Sequence, residues 1–181
     1  MLYQEKTVPL KNGIMGVFRG PRPEDAAETI AFLQKACGET DFLARYPEEM
    51  AYTEERERAY LGEIVQSRDA MMIVCTVDGK IAGNCQIVFM NSAKTRHRAA
   101  VMIGLLKEYW GLGIGSAMLW ELEQAACSRG IHQLELEVIE GNERAMSLYR
   151  KMGFSVMAEH PDAFILKDGS HRKAIFMRKI L

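Results

Sequence analysis

Long hydrophobic runs are missing from this chain of 181 residues. No apolar stretch approaches the roughly 20 residues that a membrane-spanning helix needs. The opening MLYQEKTVPL has no basic region followed by an apolar run, so no secretory leader is expected. Charge of one sign is missing too: 23 Lys and Arg stand against 24 Asp and Glu. That balance excludes general attraction to nucleic acid or to an anionic membrane surface. Cysteine is sparse, and Cys37, Cys75, Cys85 and Cys127 show no CxxC or other metal-ligand spacing. Buried free thiols in a reducing cytoplasm are expected, with Cys75 and Cys85 close to one another on either side of a hairpin. His97, His132, His160 and His171 are dispersed and offer no zinc motif, so no metal is expected. No repeat, low-complexity tract or Pro/Ser-rich linker divides the chain, which reads as one domain, 1–181.

What is present is a change of hydrophobic period along the chain. LKNGIMGVFRG predicts a short hairpin turning at Asn12-Gly13. PEDAAETIAFLQKACG predicts a helix with an acidic first turn and a stop at Gly38. TEERERAYLGEIVQS predicts a second helix, with Thr53 as its cap and Arg56 where a capping box would want Glu. MMIVCTVDGKIAGNCQIVF is two strands about Asp78-Gly79, and RAAVMIGLL, with its long apolar run, reads as a central strand covered on both faces. A glycine turn and a helix ending at Arg129-Gly130 come next, then the alternating strand HQLELEVIE. NERAMSLYRKMG is a short helix capped by Asn142 and closed by Gly153, and two strands around KDGS finish the chain. The expected fold is α/β in the α+β sense: a mixed, mostly antiparallel central sheet flanked by helices on both faces.

The glycine turn, EYWGLGIGSAM, places Gly111, Gly113 and Gly115 at alternate positions between a strand and a helix. Such a junction presents unpaired N–H groups and the positive end of a helix dipole, an anion site to which phosphate or pyrophosphate is the common guest. A nucleotide P-loop needs GxxxxGK[ST], and the chain has none. A dinucleotide fingerprint needs GxGxxG, and its last position is Ser116, although Glu135 lies about where a ribose acid would stand. Glycines that only tighten a strand-to-helix connection are the plainer alternative.

The spacing Trp110-x-x-Gly113-x-Gly115 after a strand resembles the coenzyme A-binding motif of the GNAT N-acetyltransferase superfamily, (Gln/Arg)-x-x-Gly-x-(Gly/Ala). Trp110 departs from the usual Gln or Arg and removes one side-chain donor. EGNERAMSLYRKMGF, residues 140 to 154, resembles the family's N-x-x-A-x-x-x-Y-x-x-x-G-F segment. The element order agrees over the whole chain.

The resemblance implies an N-acetyltransferase that moves acetyl from acetyl-CoA, its cosubstrate, directly to a primary amine in a ternary complex. It implies that main-chain groups of Leu105 and Leu106 pair with pantetheine. Trp110, Gly111, Leu112, Gly113, Ile114, Gly115 and Ser116 would then cradle the pyrophosphate. Asn142 would touch the pantetheine arm or the reacting centre, and Tyr149 would protonate the departing thiolate. Lys107, Arg144, Arg150 and Lys151 could meet the outer phosphate, or be solvated surface charge. Glu137 is the first candidate for the general base, against a solvated strand carboxylate or a water chain to solvent.

The family's acceptor site is lined by the two N-terminal helices and their loop. Residues 39 to 63 carry eight acids against three arginines, which suits a cationic small molecule such as a polyamine or an aminosugar. An exposed helix face laced with Glu–Arg pairs is the bland alternative. Two other functions stay open: a protein N-terminal or lysine acetyltransferase, and a catalytically silent CoA-binding sensor. Homodimers are common in the family, and these residues do not decide the oligomeric state.

Overall fold

The computed structural model describes residues 3–181; Met1 and Leu2, which open the stretch read above for a leader, lie outside the described residues. Among those described, eight strands form one sheet. They are β1 (Lys6–Pro9), β2 (Met15–Arg19), β3 (Ala70–Val77), β4 (Lys80–Phe89), β5 (Arg98–Leu105), β6 (Gln133–Ile139), β7 (Ser155–Ile165) and β8 (His171–Ile180). Their spatial order is β1-β2-β3-β4-β5-β6-β8-β7. Neighbours run antiparallel except β5 and β6, which are parallel. The four α-helices are α1 (Ala26–Glu39), α2 (Glu54–Gln66), α3 (Ile114–Ser128) and α4 (Glu143–Lys151). None is long and apolar enough to cross a membrane.

Side chains on one strand alternate between faces, and β3 shows what that builds. Met71, Ile73 and Cys75 join one core with Met118 and Leu122 of α3 and Met146 and Tyr149 of α4. Met72 and Val74 join a second core with Phe32 of α1 and Leu61 of α2. Two helices therefore cover each face, as the expected sandwich requires. Cys37, Cys75 and Cys85 are buried free thiols, and Cys127 is an exposed one.

Three expectations need correcting. The first hairpin pairs Lys6–Pro9 with Met15–Phe18, so its leading strand precedes the segment read for it, and a 3-10 turn at Lys11–Gly13 joins the two. Helix α1 runs through Gly38 to Glu39 and ends at Thr40, because Gly38 takes ordinary helical geometry and imposes no stop. The strand covered on both faces is β3, buried at every position. β5 is central in strand order, but Met102 is 51% exposed. The cause is the pairing: β5 meets β6 only at Arg98↔Gln133, Ala99↔Leu134 and Ala100↔Glu135. Beyond Ala100 the two strands part.

Candidate active site

The parting of β5 and β6 opens a cleft of about 770 Å³. Hydrogen-bond parity shows what its walls offer. In an antiparallel pair only alternate residues bond to a given neighbour. The Leu106 N–H donates to the Ala82 carbonyl and the Met90 N–H to the Arg98 carbonyl, so the even-numbered residues of β5 face β4. Val101 still donates its N–H to β6 as the last rung of the parallel pairing, and beyond it the Val101 carbonyl and the main-chain groups of Ile103 and Leu105 turn toward β6 where no strand meets them. By the same count Glu137 and Ile139 of β6 face β5, since the Glu140 N–H donates to the Lys173 carbonyl of the β8 side. Two strand edges with unpaired peptide groups thus face each other across the opening, a template for an extended ligand carrying amides.

One end of the cleft is the glycine turn. Gly111 (φ 84°) and Gly113 (φ 91°) both lie in the left-handed region that disfavours side chains. Gly113 is the N-cap of α3, and a Cβ built there would meet nothing within 4 Å. Its carbonyl accepts the first intrahelical bond, from Ala117 at 3.1 Å, so the N–H groups of Ile114, Gly115 and Ser116 have no helical partner. Lys11, Arg144 and Lys151 stand along the same cleft. Unpaired amides, a helix N-terminus and three cations together give this end of the cleft a positive character.

Trp110 lines this end, and its indole N–H donates to the Leu105 carbonyl at 3.0 Å. The guanidinium of Arg144 stacks over the indole ring at 4.8 Å. The departure from Gln or Arg at this position thus takes a structural form: Trp110 closes the last open carbonyl of β5 and shelves a cation beside Gly111. Gly115 packs closely against α4: a Cβ there would come within 2.9 Å of Leu148 Cδ2, the movable end of that side chain.

On the opposite wall, Asn142 caps α4, its side-chain oxygen accepting from the Ala145 N–H at 3.1 Å, and it also lines the cleft. Tyr149 lies two helical turns on, 7% exposed and tilted against Phe154 with ring centroids 6.0 Å apart. Burial pushes its hydroxyl up to about 12, so the phenol keeps its proton throughout the neutral range. Glu137 also lines the cleft, with its side chain exposed.

Of the residues singled out from sequence, Leu105, Trp110, Gly111, Gly113, Ile114, Gly115, Ser116, Glu137, Asn142, Arg144, Tyr149 and Lys151 share the cleft. Leu106 does not: it is buried 5% exposed on the α1 side, with its N–H already bonded to Ala82. Leu112 packs against the main core, and its carbonyl accepts from the Lys11 N–H at 3.0 Å. Lys107 and Arg150 also lie outside the lining. Lys11, Phe42 and Phe164 were not foreseen; they come from segments far away in sequence, and only the folded sheet brings them here.

The profile of the Acetyltransferase (GNAT) family matches residues 30–154. The spermidine N(1)-acetyltransferase of Escherichia coli K12 is 33% identical over 113 residues, covering 62% of this chain and 58% of that protein's length. A GNAT-family acetyltransferase from Streptococcus pneumoniae superposes with a TM-score of 0.85 at 30% identity, over 92% of this chain and 99% of that one. The Salmonella typhimurium protein yncA, solved with its cofactor acetyl-CoA, superposes with a TM-score of 0.77 at 19% identity, over 91% and 92% of the two chains.

Proposed function

Because the chain belongs to the GNAT acetyltransferase family, we propose that it transfers acetyl from acetyl-CoA to the primary amine of a small molecule, with both substrates bound at once. The observation that carries this reading is the cleft itself. Two unpaired strand edges lead to a left-handed glycine turn at a helix N-terminus, and the dimensions and donors suit a pantetheine arm ending in pyrophosphate.

Bound acetyl-CoA supplies an acyl group activated as a thioester. The odd-numbered peptide groups of β5 bind the amides of the pantetheine arm, and the α3 N-terminus with Arg144 and Lys151 holds the phosphates. An amine proton passes to Glu137, directly or through water, and the free amine forms a new C–N bond at the carbonyl carbon. An N–H on the β5 edge stabilises the negative charge that grows on the carbonyl oxygen. As the C–S bond breaks, the Tyr149 hydroxyl donates to the sulfur and the proton leaves with it as the thiol, while the proton that the new C–N nitrogen sheds on becoming the amide returns to Tyr149 through water. With the phenol pushed up to about 12, full transfer to a thiolate of cysteine-like basicity is uphill. Tyr149 therefore acts as a hydrogen-bond donor first, and transfer completes as the thiolate departs. Holding both substrates in one cleft makes the reaction effectively unimolecular.

The test is thiol release from acetyl-CoA by the purified chain across a panel of small amines and of peptides. Release stimulated by small amines is expected. Release only with peptides would turn the assignment to a protein acetyltransferase, and binding without stimulated release would make the chain a CoA sensor.

A further inference from the structure

A second cavity, of about 500 Å³, adjoins the cleft across β5 and shares Leu43, Met102, Ile103 and Gly104 with it. It opens on the face covered by α1 and α2, whereas the glycine turn leads into α3 on the other face. A thioester held between the parted strands is therefore reachable from this side.

The charges lining this cavity differ from those that a count along the sequence suggests. Four of the eight acids of residues 39 to 63 are engaged elsewhere. Glu39 accepts from the Lys107 N–H and Glu49 from the Tyr46 N–H, while Glu48 pairs with Lys167 and Glu54 with Arg58. The charged groups left in the lining are Arg45, Arg56 and Glu57. Both guanidiniums stack on one ring, with their Cζ atoms 5.6 Å (Arg45) and 5.7 Å (Arg56) from the Tyr52 centroid. Arg45 also donates to the Tyr52 hydroxyl. Among the described residues neither guanidinium has a carboxylate partner.

Glu57 is 6% exposed, and its carboxylate has no hydrogen-bond or ion-pair partner among the described residues. Thr29, 3% exposed and in the same lining, has a buried hydroxyl with no partner among them either. The Glu57 carboxylate oxygens are not fully enclosed, so what satisfies them is water or a ligand in the cavity.

We propose that this cavity is the acceptor site and that its acceptor is an amine bearing a carboxylate, an amino-acid-like zwitterion, with the carboxylate on Arg45 and Arg56 and the ammonium on Glu57. This assignment rests on the acetyl-transfer reading above. The planar guanidiniums match a carboxylate fork, and Glu57 is the one anion in the lining that can face the ammonium. A polyamine would bring several positive charges against two guanidiniums and one carboxylate, and like charges in a confined cavity repel.

The experiment has two readouts on the full chain. Acetyl-CoA binding is first measured by calorimetry; its absence refutes the acetyl-transfer reading itself. Amino acids are then compared with their amides and with the amines left by removing the carboxylate, phenylalanine against phenylalaninamide and phenethylamine, methionine against its own pair, with spermidine alongside. Thiol release gives kcat/KM, and thermal stabilisation of the CoA complex gives binding. The carboxylate-bearing member of each set is expected to be preferred at least tenfold, the scale of one charge-assisted contact. Arg56→Met and Arg45→Met should remove that preference while the KM for acetyl-CoA stays put. Glu57→Gln should raise KM for all amines in a set alike. Normal acetyl-CoA binding with no preference for the carboxylate, in turnover or in binding, overturns the proposal, and so does a preference for spermidine. A set in which nothing binds counts against it equally.

Discussion

Tyr149 and Glu57 are both buried acids whose charged forms are disfavoured by desolvation, yet their surroundings give them different consequences. Tyr149 faces the cleft and keeps its proton, so Tyr149→Phe should lower turnover by roughly 10²-fold or more while acetyl-CoA affinity changes little. Unchanged turnover in steady-state kinetics would remove it as the proton donor. Glu57 shares its cavity with Arg45, Arg56 and Tyr60. Burial raises its pKa above the ordinary value of 4.5. In the interval above that value the folded chain holds a proton that the unfolded chain releases, so stability falls as pH rises through the folded pKa. Glu57→Gln removes that slope. Its melting temperature should exceed the wild type at about pH 7.5 and converge with it near pH 4; an equal difference at both pH values would contradict the assignment. Asn142 and Tyr149 were legible in the sequence because helical spacing places them two turns apart on one helix. Glu57 was passed over by a count of charges, although it stands four and seven residues before Leu61 and Ile64, on the one face of α2 that is buried.

At the scale of the element, the cleft depends on how closely backbones approach. Gly83 of β4 sits opposite Leu105, and a Cβ there would lie 2.6 Å from the Gly104 carbonyl oxygen and 2.2 Å from Leu105 Cδ2. The first of these is backbone and cannot swing aside. Gly83→Ala should therefore destabilise the chain by about 1–3 kcal/mol in urea unfolding, and an unchanged midpoint would show that β5 yields more easily than this packing implies. Helices α2 and α4 were readable from their caps at Thr53 and Asn142, and α3 from the glycine turn before it and its end at Arg129-Gly130. The Asp78-Gly79 hairpin was readable because both residues adopt positive φ, 49° and 77°. β5 misled because an apolar run signals burial without saying by what: its apolar residues beyond Ala100 line a cleft that the departure of β6 opens. The early start of the first hairpin was hidden because KTVP is short and mostly exposed.

At the scale of the whole molecule, the opening runs through the sheet between two helical layers. The glycine turn serves one face and the arginine-lined cavity the other. This arrangement suits direct transfer, since two substrates can enter from opposite sides and meet at the parted strands. The layer order and the glycine turn were legible because each rests on local pattern. The chemistry of the acceptor cavity was not, because it depends on which of many surface charges the fold turns inward. The most direct test of the account is calorimetric titration of acetyl-CoA into the wild-type chain and into Gly113→Val, whose left-handed φ and open approach a branched side chain would spoil. Saturable binding of one acetyl-CoA per chain, weakened at least tenfold in a folded Gly113→Val, is the predicted result. No binding by the folded wild type, or equal affinity in both proteins, would contradict the assignment of the glycine turn to CoA.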